Sequence, residues 1–409
     1  MNRSFVAASI ASLCSAPLAI AGASIPTYAG FQVQASTGNI TFNLPAGASI
    51  SNATPDINNS GQVTFEVTVP SATQIWRGGN AMGGSVAEIS QAAGFVSVSD
   101  PTINNAGRVV WSQDDVPGVY SVDAAGSPAA LYTNDPFGTS TFGSPQILDD
   151  DTVGFRGRAG FGPRFHASVN PFLDVPPTIF AQEMPGLSFL FTPRFNNNTE
   201  VATKLTRDAG FNEEEVVTID ASGARTTIAQ NNDIDPMSPY SSFGNSLGFN
   251  DHGQVALAAT LAASGDRTIV LTDGTTETTI ATEGVGDVSD IEFFSPVVNN
   301  NGLVAFRAFD ASGNRSIFVG DGTDLVKVAT EGTAITGGNG ESLFIGRLID
   351  TGPSFGGGIS INDLGEIVFN AQLNNGQTLL GAGIIVAQIP APGSLALLGL
   401  APLATRRKR

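Results

Sequence analysis

The chain has 409 residues, 37 acidic and 19 basic, with abundant Gly and only 14% of residues charged. Five of the basic groups (Arg3, Arg406, Arg407, Lys408 and Arg409) sit at ends that hold no acid, which leaves 14 bases against 37 acids in the body between them. Such a surface repels phosphate backbones and argues against nucleic acid as a partner; a single cysteine, Cys14, rules out a disulfide framework.

Residues 1–23 combine a basic start at Arg3, an apolar run from Phe5 to Ile20 and small residues at Ala19, Ala21 and Ala23. That order predicts a secretory signal peptide cleaved after Ala21 or Ala23. Cys14 lies inside the run, with Leu13 before it and Ala11 where a lipoprotein signal carries Leu, so it is expected to leave with the peptide. Two short strands are expected within Gly30 to Leu44, around a turn at Ser36 to Asn39.

From there the chain repeats itself. Asn58-Asn59-Ser60-Gly61 precedes Gln62 to Thr68, and the same turn-then-strand unit returns at Asn104 to Trp111, Asn250 to Gly253, Asn299 to Phe306 and Asn362 to Phe369. Asn opens a tight turn because its side chain bonds nearby backbone, and Gly supplies a positive φ. The turn glycines Gly61, Gly107, Gly253, Gly302 and Gly365 are therefore read as structural. Weaker copies place Asp151 and Thr199 at the Gly position, giving spacings of 46, 44, 48, 54, 49 and 63 residues. Val63, Phe65 and Val67 are expected to face one way and Gln62, Thr64, Glu66 and Thr68 the other.

Other features keep step with the turn. A Phe lies upstream (Phe95, Phe142, Phe189, Phe243, Phe294 and Phe355), often followed by Pro, and hairpin turns such as Asp220 to Gly223 and Asp273-Gly274 lie downstream. About four strands per unit, repeated seven times, predict an all-β fold: a β-propeller of about seven four-stranded blades over 24–388. An open β-repeat solenoid is the alternative. Segment 30–44 would add to the last blade and close the ring, which removes exposed sheet edges.

Residues 389–409 form a separate device: Pro390-Ala391-Pro392, the apolar run Gly393 to Ala404, then Arg406-Arg407-Lys408-Arg409. Twelve apolar residues are short for a permanent span, and a basic stop behind them suits transient retention at the inner membrane. This tail resembles a PEP-CTERM sorting signal, with Pro390, Pro392 and the basic cluster Arg406, Arg407, Lys408 and Arg409 matching and Ala391 standing where that signal usually has Glu. The repeats resemble the tandem-repeat proteins with an N-x-x-G-x-x-A-F motif, which Asn299, Gly302, Ala305 and Phe306 match in full. These resemblances imply a protein exported by the Sec pathway in a Gram-negative, exopolysaccharide-making bacterium. They further imply processing by an exosortase-type enzyme, residence at the cell surface, in the outer envelope or outside the cell, and no transferable catalytic residue.

Apparent catalytic motifs dissolve into the repeat. Gly352-Pro353-Ser354-Phe355-Gly356 fits a nucleophile elbow, which needs a helix after it and a histidine base, yet Ser242-Phe243-Gly244 repeats its core. His166 and His252 are the only histidines, too few for a zinc centre without cysteine. Asp149 to Asp151, Glu213 to Glu215 and Asn231 to Asp235 offer oxygen ligands of the type Ca²⁺ takes, but none fits a calcium loop, and they are read as solvated. The turn also approaches the sialidase repeat S-x-D-x-G-x-x-W, with different spacing between Asx, Gly and aromatic. No catalytic, cofactor or metal residue is assigned.

Two functions fit this reading: a non-catalytic surface or matrix protein with a structural or binding role toward exopolysaccharide, or a propeller hydrolase or lyase acting on extracellular polysaccharide. The second requires residues that break the repeat and converge at one end of the channel, with Asp149 to Asp235 the first place to look.

Overall fold

In the computed structural model, the described residues are 24–50, 53–79, 85–88, 98–113, 116–122, 128–133, 138–173, 175–346 and 354–390. The expected signal peptide lies outside them, as do Phe95 and everything after Pro390, including Pro392 and the cluster Arg406 to Arg409. The protein is an all-β, seven-bladed propeller.

The blades are seven antiparallel sheets built from consecutive stretches of chain: 56–88, 102–132, 141–182, 189–230, 240–282, 288–330 and 355–388. Blades are counted one to seven in that order. The innermost strand is short in blades one and two, runs Thr141–Ile147 and Phe355–Ile361 in blades three and seven, and is split in two in blades four to six; in blade four the pieces are Phe189–Leu190 and Arg194–Phe195. Pro193 and Pro296 sit in the breaks of blades four and six, where a residue without N–H cannot continue the ladder. Each second strand follows its four-residue turn, which is Asx-x-x-Gly in five of the blades, as Val304–Asp310 follows Gly302.

Every core cluster lies between two adjacent blades, so the molecule holds seven small cores in place of one large one. Between blades one and seven, Val63, Phe65 and Val67 pack with Val368, Ile384 and Val386; between blades five and six, Ile269 packs with Val304 and Phe306. A blade is therefore covered on both faces. The alternation expected for Gln62 to Thr68 holds, with Val63, Phe65 and Val67 in one core, and the opposite face is covered too: Thr64 is fully buried and its hydroxyl donates to Trp76 O at 2.9 Å.

Ring closure follows the sequence expectation in its main part. Gly30–Ser36 forms the outer strand of blade seven, antiparallel to Leu379–Gln388. The second strand expected before Leu44 is replaced by a 3-10 turn at Gly38–Ile40 and an isolated bridge from Ser36 to Phe42. Blade seven then bonds blade one directly: Asn362 Nδ2 donates to Asn58 O at 3.0 Å, and Ser360 Oγ to Asp56 Oδ1 at 2.6 Å. A solenoid has no such end-to-end contact, so that alternative is excluded. The long 63-residue spacing is explained by an extra hairpin, Ala334–Thr336 with Ser342–Ile345, on the blade-seven sheet.

Candidate functional site: the propeller channel

The repeat places equivalent residues at equivalent depths along the channel. Turn glycines Gly61, Gly107, Gly253, Gly302 and Gly365 have φ between +73° and +91°, while Asp151 and Thr199 hold +67° and +59° at the same position. The first Asn of the turn binds its own loop and reaches across: Asn299 Oδ1 accepts from Leu303 N at 3.0 Å, and its Nδ2 donates to Asn362 O at 3.0 Å. Six of the seven blades make this sideways bond; Leu148 occupies the position in blade three.

The second turn residue closes a complete ring. Going round, the residues are Asn59, Asn105, Asp149, Asn197, Asp251, Asn300 and Asp363. Each backbone N–H donates to the side-chain Oδ1 of the next blade at 2.7–2.9 Å, and Asp363 N returns to Asn59 Oδ1. Amides and carboxylates nearly alternate, so every carboxylate accepts from two flanking amides; Asp251 Oδ2 takes Asn197 Nδ2 at 3.0 Å and Asn300 Nδ2 at 2.8 Å. Below the ring, the residue before the first turn residue is apolar in every blade, from Ile57 to Ile361. The expected loop acids are thus partly structural: Asp149 belongs to this ring, Asp151 Oδ1 accepts from Asn104 Nδ2 at 3.0 Å, and Glu214 pairs with Lys204 at 2.9 Å.

Past the apolar collar, toward the opposite end, lies a cavity of about 510 Å³ lined from six of the seven blades. Here the repeat breaks. One residue before the collar, the blades carry Asp56, Thr102, Gln146, Arg194, Val297 and Ser360. Most of these polar groups brace a neighbouring blade. Asp56 Oδ2 accepts from Ile103 N at 3.0 Å, Thr102 Oγ1 from Ile147 N at 3.1 Å, and Gln146 Oε1 from Phe195 N at 2.7 Å. Arg194 donates only its Nε, to Leu247 O at 3.2 Å, among the described residues. Glu66, from the second strand of blade one, and Asp100 complete the polar wall; the Glu66 carboxyl makes no hydrogen bond among the described residues.

Asp56 and Asp100 act on the Arg194 guanidinium, and Asp100 acts on Glu66, in a partly enclosed space. Burial, reinforced by the charge of Asp100, pushes the Glu66 carboxyl up to about 7. Burial also raises Asp56 against its bonds to Ser360 and Ile103, and it raises Asp100 against its bonds to Thr54. Asp100 is itself an exposed residue, and its Oδ1 accepts from Thr54 N at 3.1 Å. Burial lowers Arg194, with Asp56 and Asp100 acting in the opposite sense. The cavity can hold a polar ligand by hydrogen bonds to rigid carboxylates and can exchange a proton near neutrality at Glu66.

The residues singled out by motif fall elsewhere. Ser354 is followed by the strand Phe355–Ile361 and donates to Glu331, so it is no nucleophile elbow. His252 is an exposed turn residue. His166 is fully buried with Nε2 at 3.0 Å from Phe191 O, and burial holds its pKa down to about 3. Among the described residues, no three His, Cys, Asp or Glu side chains are grouped to hold a metal. Segment Asp149 to Asp235 supplies Arg194 but no acid to the cavity; the acids come from blades one and two. A signal for Asp56 and Arg194 existed in the sequence, since aligning the seven turns shows the residue two before the first turn position changing from blade to blade.

The family of unknown function DUF7453 matches residues 179–394, more than half of the chain. The chain belongs to DUF7453. No curated protein matches this DUF7453 chain. Among solved structures, an oligogalacturonate lyase from Vibrio parahaemolyticus is 10% identical with a TM-score of 0.58, covering 88% of this chain and 97% of that one. The β-propeller domain of the Trilobed protease from Pyrococcus furiosus, described as having an open velcro topology, is 11% identical with a TM-score of 0.54, covering 81% and 94%. An S511A mutant of puromycin hydrolase is 14% identical with a TM-score of 0.54, and the DUF7453 chain spans 57% of its length. At such identities the likeness is one of fold.

Proposed function

We infer that this DUF7453 protein is an exported, non-catalytic propeller of the cell surface or extracellular matrix that binds the end of a matrix polysaccharide in its channel cavity. One observation carries the reading: the cavity's polar side chains are unlike from blade to blade, yet Asp56, Thr102 and Gln146 are each locked by a bond to the next blade. Rigid, pre-oriented acceptors suit binding. The excess of carboxylates favours a neutral or amine-bearing sugar over a uronate. Supporting the address are the signal peptide, the PEP-CTERM-like tail with Pro390 and Pro392, and the acidic body. On this reading an exosortase-type enzyme removes the basic end after brief retention at the inner membrane; intact mass of the protein from its native host, with Arg409 still attached, would contradict it.

The binding half is tested by titrating the mature protein with polysaccharide from that host. Glu66→Gln and Arg194→Ala are expected to weaken binding at least tenfold while remaining folded at the temperature of the titration; full affinity in both would overturn the cavity as the site. A second reading, a hydrolase or lyase acting on the same polymer, is favoured by one observation: a carboxyl near neutrality at Glu66 beside Asp100 fits general acid–base work.

A further inference from the structure

Blade five carries the smallest side chain at a position that in several blades bridges neighbours. Five residues after the turn Gly position, the second strands carry Glu66, Ser112, Arg156, Lys204, Ala258, Arg307 and Asn370. Several of these donate to the inner segment of the next blade: Ser112 Oγ to Phe142 O at 2.7 Å, Lys204 Nζ to Phe243 O at 2.9 Å, and Arg307 Nη2 to Phe355 O at 3.2 Å. Ala258 has nothing to reach with. Beside its methyl group a cleft of about 280 Å³ opens between blades five and six.

The cleft joins aromatic faces to unspent polar groups. Phe293 is 90% exposed, with the Arg267 guanidinium 3.5 Å from its ring centre on one side. Phe294 is 39% exposed, with Arg307 similarly placed at 3.8 Å. The side chains of Asn245 and Ser246 line the same space and make no hydrogen bond among the described residues. A pyranose ring presents C–H groups on its face and hydroxyls on its edge; the first stack on an aromatic ring's negative face and the second bond amides and hydroxyls. The position four residues before the turn Asn lines the channel cavity in blades one to four, as at Thr54 and Asp100, and lines this cleft at Ser246 and Ser295. Both spaces therefore lie toward the same end of the channel.

We propose that the cleft beside Ala258 is a second carbohydrate subsite, taking a sugar ring of the same chain whose end enters the channel cavity. This rests on the carbohydrate reading above, and the test separates the two. The mature protein would be titrated with cello-oligosaccharides and with glucosamine oligomers of one to six units, in the parent, Ala258→Lys and Phe293→Ala. Lysine at 258 copies Lys204 and would point toward the carbonyl of Ile291, which pairs with Ala308 as Phe243 pairs with Ala259, so it fills the cleft by the repeat's own solution. In the parent, affinity is expected to rise with oligomer length; both variants should cut affinity for the longest oligomer at least tenfold and leave that for the monomer unchanged. An unaltered length dependence in the variants, or none in the parent, overturns the subsite and leaves the cavity reading standing. Failure of every sugar to bind the parent overturns both. If Ala258→Lys melts early, Phe293→Ala decides, because its ring is almost wholly outside the core.

Discussion

Thr199 holds a left-handed backbone, φ +59°, that its branched Cβ resists. Replacing it with Gly should raise stability by about 1 kcal/mol, the relief of strain less the added chain entropy. The converse change, Gly302→Val, should cost about 1–3 kcal/mol, because the space there is ordinary and the strain is all in φ, +78°. Chemical melts of both variants check this; no change in either would refute the turn assignment. Glu66 gives a prediction of a different kind. Its carboxyl moves from an ordinary 4.5 to about 7 on folding, so between those values the native state holds more proton than the unfolded chain. Its contribution is present below about 4.5 and is lost as pH rises toward 7. Thermal melts should show the parent losing ground to Glu66→Gln across that window, and a constant gap would contradict the buried placement. The turn residues were legible in sequence because Asn and Gly are chosen by backbone conformation. Glu66 was not, since its significance comes from burial and from a neighbour, Asp100, both brought about only by folding.

Strands and turns were legible because they are local. Alternation and turn chemistry located the second strands, and the repeat period implied that each blade ends where the next begins. What was missed depends on contacts between elements. Split inner strands are too short to show a period, Thr64 is buried by an adjacent blade, and the second strand expected before Leu44 gives way to a turn at Gly38–Ile40. The strand Gly30–Ser36 is the element on which closure depends. It pairs with Leu379–Gln388, and Gly381 lies so close to Thr37 that a Cβ there would sit 2.1 Å from the Thr37 carbonyl oxygen. A chain beginning at Ser51 would leave Leu379–Gln388 as an open edge of long apolar strand. Such a truncation is expected to aggregate or to be cut near blade seven under limited proteolysis, and a monomer as stable as the parent would contradict the pairing.

At the scale of the whole molecule, seven near-equivalent units give a rigid ring whose two channel ends differ. The turn end is knitted by Asx side chains that obey the repeat, and the far end is lined by residues that depart from it. The sequence displayed the first openly. It displayed the second only as irregularity at one repeat position, because converging on an axis is a property of closure, which no single unit encodes. The same irregularity is what the binding reading and the enzymatic reading share, and they divide on whether the polymer survives contact. The direct measurement is light-scattering chromatography of the native host's purified polysaccharide before and after prolonged incubation with the mature protein. The account predicts that the protein co-elutes with a polymer of unchanged mass and that Glu66→Gln elutes alone. A polymer that shortens with time in the presence of the parent, and not of Glu66→Gln, would contradict it and make the cavity an active site.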